Sequence, residues 1–504
     1  MAQQTATRAP VPEVRPWPAL FALCLGFFMI LVDTTIVTVA TPAIISDLHA
    51  DVNSVVWVTS AYLLAYAVPV LITGRLGDRY GPKNLYLVGL TVFTLASLWC
   101  GLTTSIEMLI AARVLQGLGA GILTPQTMSV ITRIFPADKR GQAMALWGAT
   151  AGVATLVGPI LGGILVDALG WQWIFFINIP VGIVGFVLAV RWVPKLEIRM
   201  HKFDWLGVAL SGIGMFLLVF GIQQGHKYHW NAWVMASIVG GLVVFALFVL
   251  WQHVNTQEPL VPLSLFHDRN FSISNFAIST MSFTATAMGF PTMLYAQLVR
   301  GYSPLQSALL FVPMAVMSIV LAPIVGRFTD RVHPRILTGA GFLITAVAIF
   351  LLSRTLTADG PVWPILATFA LLGIGMAGIW APLAATATRN LPMQMAGAGS
   401  GVYNATRQVG AVLGSAAIAV LLDSRIAAHG LSGGAEPDGA LQQLPAIVRE
   451  PFSSAMADTL LLPVGVLMLG FVSVLFFQLP RHLMARKEQA AQPEPAALRP
   501  SSRV

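Results

Sequence analysis

The sequence predicts an all-α integral membrane protein of about fourteen spanning helices, and three observations carry that prediction. Hydrophobic residues fill 56% of the 504 positions and charged residues 10%, with a mean hydropathy of +0.76, so the chain cannot dress a soluble surface. Apolar stretches of about 20 residues recur between Pro18 and Pro480 with short polar punctuation, the length a helix needs to cross hydrocarbon. Basic residues are scattered one or two per loop, which turns the net charge of +8 into a topology signal and excludes the continuous basic stripe of a nucleic-acid binder.

The first apolar run, Leu20–Ala40, is too long for the core of a cleaved signal and has no small-residue cleavage site after it, so it reads as the first span. Ser54–Ile72, Asn84–Leu102, Met108–Ile131, Gln142–Leu165 and Trp173–Val190 complete a first set of six. A basic connector, Arg191 to Lys202, separates them from a pair, Trp205–Gln223 and Trp230–Trp251. A second set follows: Phe271–Val299, Leu305–Val325, Ile336–Leu352, Val362–Thr388, Gly401–Leu422 and Leu460–Leu479. The predicted organisation is therefore a tail (1–16), an N-terminal six-helix half (17–200), two inserted helices (201–255), a C-terminal six-helix half (256–480) and a tail (481–504). The last segment is basic and then poor in hydrophobic residues, and is predicted disordered.

Orientation follows from the basic residues. With both termini inside, roughly 22 of the 29 Lys and Arg face the cytoplasm and about five face out, among them Lys227, Arg300 and Arg354. Trp17, Trp57, Trp171, Trp173, Trp205, Trp230 and Trp251 fall near predicted helix ends, where indole rings sit best at the headgroups. Cys24 and Cys100 both lie in apolar runs, and the histidines all fall in loops or tails, so no disulfide framework, metal site or histidine base is expected. Gly373-Ile-Gly375-Met-Ala-Gly378 has dinucleotide spacing but lies inside an apolar span with no preceding strand, and reads as helix packing. A lipid-modifying enzyme needs a polar catalytic cluster at one interface, and none is present.

An internal repeat divides the chain. Gly74-Arg-Leu-Gly-Asp78-Arg79-Tyr-Gly81-Pro-Lys83 after the second span recurs as Gly326-Arg-Phe-Thr-Asp330-Arg331-Val-His-Pro-Arg335 after the tenth. A single copy reads as a tight basic loop; two at matching positions point to homologous halves with a helix pair inserted between them. Glycine permits close helix approach while the aspartate caps or pairs with a neighbour, which makes a latch that breaks when the halves rock.

With these motifs the chain resembles the major facilitator superfamily, and within it the fourteen-helix drug:proton antiporter branch of EmrB/QacA type. Further likenesses, in order, are Leu31-Val-Asp33-Thr-Thr35, Arg113-Val-Leu-Gln116-Gly117-Leu-Gly119, Gly152 with Gly158-Pro159-Ile-Leu-Gly162-Gly163, Trp171-Gln-Trp173 through Asn178-Ile-Pro180, Glu258 to Phe266, and Gly401-Val-Tyr-Asn404-Ala-Thr-Arg407. The resemblance implies a major facilitator fold, a bacterial inner-membrane location, alternating access, protons as coupling ion and no cofactor. It assigns Asp33 to proton exchange, Arg113 to tuning it, and the glycines with Pro159 to sealing the cavity against leak.

Read without the family, Asp33, Arg113 and Arg407 are the ionisable residues well inside predicted spans, each costing ~2.5–3.5 kcal/mol to insert. Depth counting from the span boundaries at ~1.5 Å per residue brings Asp33 and Arg113 to nearly the same level. They form either a proton site or a permanent ion pair that locks two helices; Arg407 either faces the cavity or snorkels to the inner headgroups. Gly158 and Gly162 form a small-residue face, and Pro159 removes a backbone hydrogen bond, so the fifth span is expected to be bent and to pack closely where the halves meet. Tyr62, Gln116, Tyr295, Asn404 and Arg407 are candidate cavity-lining residues, few against a background of Phe, Met, Leu and small side chains. Such a lining suits amphipathic drugs, neutral or monocationic; the alternative is a facilitator exporting a specific metabolite, lipid or siderophore. Expected partners are the bilayer and the cargo, and the sequence leaves a periplasmic adaptor open.

Overall fold

The computed structural model describes residues 15–50, 52–196, 198, 204–225, 228–255, 259–429 and 444–479. Most of the terminal tails expected from the sequence lies outside these residues. The long helices follow the predicted spans one to one. They are α1 (Pro16–Asp47), α2 (Val52–Ala67, continued at 45° by Val70–Tyr80), α3 (Pro82–Gly101), α4 (Ile106–Ile134), α5 (Arg140–Leu169) and α6 (Trp173–Trp192). The pair α7 (Trp205–Gln224) and α8 (Ala232–Val254) comes next. The second half holds α9 (Arg269–Leu294), α10 (Leu305–Thr329), α11 (Pro334–Thr355), α12 (Trp363–Arg389), α13 (Ala396–Ala428) and α14 (Ala446–Val474).

Twelve of these are long and apolar enough to cross a membrane, and bent α2 makes thirteen. The predicted fourteenth is α9, which does not meet that measure because Ser, Thr and Asn are spread along it. Its threonine hydroxyls return to carbonyls of the preceding turn, as Thr284 does to Thr280 and Thr292 to Met288, so their polarity is absorbed within the helix. The fourteenth helix also starts earlier than Leu460: an additional amphipathic stretch, Ala446–Thr459, precedes it.

The two halves repeat one packing scheme. In the first, α3 packs on α4, α2 on α4, and α1 on α5 and α6; in the second, α11 packs on α12, α10 on α12, and α9 on α13 and α14. Glycine sets the tightest crossings. Gly89 lies against the backbone of Gly119 and Leu123, and Gly341 against that of Gly375 and Gly378, so the dinucleotide-like glycines of α12 do serve helix packing. The halves meet along α5 with α10 and α12, and along α13 with α2 and α4.

The inserted pair packs on itself and reaches the bundle through α7, which touches α2 of one half and α13 of the other. Asp204 anchors it. As N-cap of α7 it accepts from Gly207 N at 2.8 Å, and it also accepts from Trp251 Nε1 and Gln252 Nε2 at the end of α8 and from Leu260 N at the approach to α9. Burial pushes its carboxyl up, but these four donors outweigh that and hold it below its ordinary value. Asp204→Ala is expected to lower the thermal unfolding midpoint of the purified protein, by a loss of about 2 kcal/mol; an unchanged midpoint would remove the anchor from this account.

Candidate functional site

Asp33 of α1 and Arg113 of α4 meet, as their predicted depths require. Arg113 Nη1 stands 2.5 Å from Asp33 Oδ2, and both side chains are fully buried. The other carboxylate oxygen, Oδ1, accepts from Gln116 Nε2 at 2.8 Å and Asn178 Nδ2 at 3.2 Å. Arg113 donates further to Gln116 Oε1 at 2.7 Å and to the Val58 carbonyl at 3.2 Å, and its guanidinium lies 4.0 Å from the centre of the Tyr62 ring. Ser97 closes the cluster by accepting from Gln116 and Asn178 while donating to the Phe175 carbonyl. Such an arrangement satisfies the ionised acid with three donors and leaves Arg113 Nη2 without a hydrogen bond.

A second pair of sites ties the halves together, and they are copies of each other. Asp78, at the end of α2, accepts from the backbone N–H groups of Gly397 and Ala398 at 3.0 Å each, the first turn of α13 in the opposite half. Asp330, just past α10, accepts from Gly141 N at 2.9 Å and Gln142 N at 3.3 Å, the first turn of α5. Each carboxylate thus satisfies orphan amides at a positive helix end that belongs to the other half. Each is also paired within its own half, Asp78 with Arg133 at the end of α4 and Asp330 with Arg389 at the end of α12, the latter at 2.7 Å. Glycine brings these ends together: a Cβ on Gly74 would collide with the backbone of Gly397 and Gly401, and one on Gly326 with Gln142 and Ala145. Gly81, at φ +89°, ends α2. Burial pushes the Asp330 carboxyl up to about 6 against the pull of Arg389 and the two amides.

Between the halves lies a cavity of about 400 Å³. The first half contributes Thr34, Thr35, Gly148, Gly152 and Pro159 from α1 and α5; the second contributes Met288, Met293, Phe311, Met314, Ser318, Met376 and Trp380 from α9, α10 and α12. Among the described residues its lining holds no ionisable side chain.

Several sequence-derived expectations are corrected by this geometry. None of Tyr62, Gln116, Tyr295, Asn404 or Arg407 lines this cavity. Tyr62 and Gln116 are consumed by the Asp33 cluster, Tyr295 donates to the Thr357 carbonyl at 2.7 Å, and Asn404 folds back on the Ser400 carbonyl at 2.9 Å. Arg407 does not run along its helix to the headgroups; its Nη2 lies 3.1 Å from the Tyr66 hydroxyl of the other half. Asp33 and Arg113 lie behind the cavity wall, inside the first half, and the neighbours Thr34 and Thr35 form the wall. Gly158 and Gly162 pack against Thr35 and Ile36 of α1 in the same half, while Gly152 faces Ser318 across the interface and a Cβ on Gly163 would meet none of the described neighbouring atoms within 4 Å. Arg331 is exposed and stands outside the latch, whereas Arg79 stacks its guanidinium 5.3 Å from the Tyr80 ring. Sequence reasoning missed Arg133, Arg389, Ser97 and the role of Asn178. The arginines carried a usable signal, because each closes a span that follows a latch motif at matching positions of the two halves.

Residues 23–415 match the profile of the Major Facilitator Superfamily. The chain belongs to that family. Among its relatives an MFS-type transporter of Mycobacterium tuberculosis is 54% identical over 92% of this chain and 81% of its own. The tetracenomycin C resistance and export protein of Streptomyces glaucescens is 35% identical over 82% of this chain and 77% of its own. The proton:xylose symporter XylE shares the fold, with a TM-score of 0.64 at 13% identity over 94% of this chain and 98% of that one.

Two predictions follow for this facilitator. The latched form holds a proton on Asp330 up to about 6, whereas a water-exposed carboxyl holds it only to its ordinary 3.8, so raising the pH through that window removes stabilisation from the latch. Spin labels replacing Lys139 and Arg331 should therefore report wider separations at pH 7 than at pH 4.5, a dependence that Asp330→Asn flattens. Gly158→Leu, whose side chain has to displace Thr35 of α1, is expected to reshape the cavity wall and raise passive proton leak in vesicles several-fold; leak equal to the parent protein's would leave only a packing role.

Proposed function

We propose that this facilitator expels amphipathic drugs, neutral or monocationic, in exchange for protons by alternating access, with the latched end and both termini on the cytoplasmic side of a bacterial inner membrane. One observation carries the reading: among the described residues, the space between the halves is walled by methionine, alanine and aromatic side chains with the hydroxyls of Thr34, Thr35 and Ser318, while the Asp33–Arg113 pair lies beside it. Methionine adapts its shape to varied apolar surfaces, which suits a site that accepts several cargoes. A carrier dedicated to a sugar-like metabolite needs many convergent hydrogen-bonding groups, and this lining offers few. The export of tetracenomycin C by a relative is consistent with the same class of cargo.

Asp33 is the proton-exchanging group in this reading and Arg113 sets its affinity. While Arg113 is paired, the carboxylate is favoured; a rearrangement that draws the guanidinium away leaves a buried anion that must take a proton. Energetics restrict the cargo. One proton entering down ~100 mV and one pH unit supplies about 2.3 plus 1.4 kcal/mol. A neutral drug draws on both terms. A monocation exchanged one for one cancels the electrical term and reaches about tenfold accumulation.

Asp33→Asn tests the assignment in reconstituted vesicles. The expected outcome is loss of drug accumulation driven by an imposed pH difference, with counterflow exchange of the same drug retained. Proton-driven accumulation that survives the substitution overturns the role of Asp33. Cells overexpressing the protein should gain resistance that a protonophore removes; a dedicated metabolite carrier would give none.

A further inference from the structure

Arg407 is a cation within the bundle that has no carboxylate partner among the described residues, and its Nε makes no hydrogen bond. What it has is the Tyr66 hydroxyl, 3.1 Å from Nη2 and on the other half of the molecule. Tyr66 is held in turn by Thr124 of α4, hydroxyl to hydroxyl at 3.1 Å. One helical turn away on the same face of α2 stands Tyr62, its ring centre 6.2 Å from that of Tyr66. Tyr62 is the ring against which Arg113 stacks at 4.0 Å, and Arg113 is the partner of Asp33. An unbroken series of contacts therefore runs from the buried acid inside the first half, along α2, to a cation of the second half.

We propose that Tyr66 and Arg407 are positioning residues that make opening of the latched end depend on the charge of Asp33. This rests on the proton-exchange reading of Asp33 given above. When Asp33 takes a proton, Arg113 loses its anion and is left with Gln116 Oε1, the Val58 carbonyl and the face of Tyr62, so its attraction to that face grows in weight. Tyr62 and Tyr66 share α2, so a shift of Tyr62 toward Arg113 moves the hydroxyl that holds Arg407. The Tyr66–Arg407 contact lies between α2 and α13, the same two helices that the Asp78 latch joins, so opening that end has to break it. Coupling in the reverse sense follows from linkage: breaking the contact changes the proton affinity of Asp33.

Tyr66→Phe removes the hydroxyl and keeps the ring against Tyr62, and neither Tyr66 nor Arg407 lines the cavity. The expected result is retained counterflow exchange with proton-driven accumulation reduced about tenfold, the loss of one hydrogen bond to a charged group. Arg407→Gln should give the same reduction, Arg407→Lys should recover part of it, and the double variant Tyr66→Phe/Arg407→Gln should be no worse than either single one. The pH midpoint of accumulation should move in Tyr66→Phe, which a merely structural residue would not produce. Unchanged accumulation and an unchanged midpoint in Tyr66→Phe, or reductions that multiply in the double variant, overturn the proposal. If Asp33→Asn meets its expectation while Tyr66→Phe is silent, only this inference fails; a parent protein that accumulates nothing under a proton gradient removes both.

Discussion

A carboxylate taken out of water has to be surrounded by donors, and in this protein that requirement shapes the bundle at three places. Asp33 collects donors from Arg113, Gln116 and Asn178, which brings α1, α4 and α6 to one point. Asp78 and Asp330 use amides of the opposite half as well as arginines of their own. The first acid is satisfied within one half, and the other two gain their full set of donors only while the two halves touch. That difference separates an internal charge site from a conformational lock, although all three are buried aspartates.

Pseudo-twofold repetition explains why the lock is double. Because each half ends its second helix on an aspartate and begins its fifth with free amides, a single docking of the halves satisfies both acids at once. Parting the halves at that end exposes both acids and both sets of amides, and water then replaces the lost partners. The net cost is small compared with the gross interaction, as rocking between two states requires. Glycines at the crossing, Gly74 and Gly326, contribute no side-chain energy; they allow the backbone proximity without which the carboxylates cannot reach.

Most of the fold was legible because lipid imposes a coarse code. Apolar length gave the long helices in order, twelve of them, or thirteen with bent α2, long and apolar enough to cross a membrane, and the repeated Gly-x-x-x-Asp-Arg turn marks the positions at which the two sets of helices repeat. The exception, α9, shows the limit of that code: hydroxyls that bond to their own helix cost less than a hydropathy scale charges for them. Depth arithmetic also located the Asp33–Arg113 contact, since rise per residue is fixed. The cavity lining was not legible. Polarity marked Tyr62, Gln116, Tyr295, Asn404 and Arg407 for an aqueous space, yet a buried polar side chain is satisfied as well by protein groups, and each of these found one, Asn404 on its own helix and the others elsewhere in the bundle. Which face a residue presents depends on helix rotation, and a nearly uniform apolar helix such as α1 carries little periodic signal to fix it.

Placing the acid behind the wall and not in the cavity changes what coupling has to mean. Thr34 and Thr35 touch the cavity, and Asp33, one residue earlier, faces the interior of its own half about 100° away around α1. On the proposed roles of Asp33 and the cavity, cargo and proton do not compete for one set of atoms. Protonating Asp33 where it stands would strand Arg113 as a buried cation, a cost of about 3–5 kcal/mol that is comparable to the whole driving force of one proton. In the proposed exchange the proton is therefore taken up only together with a movement that gives Arg113 a new partner or lets water reach the pair. Under that proposal the wall shared by the two sites, α1, is the element through which movement and cargo occupancy act on each other, and exchange enforced by the expense of an unpaired charge in oil needs no direct contact between drug and acid.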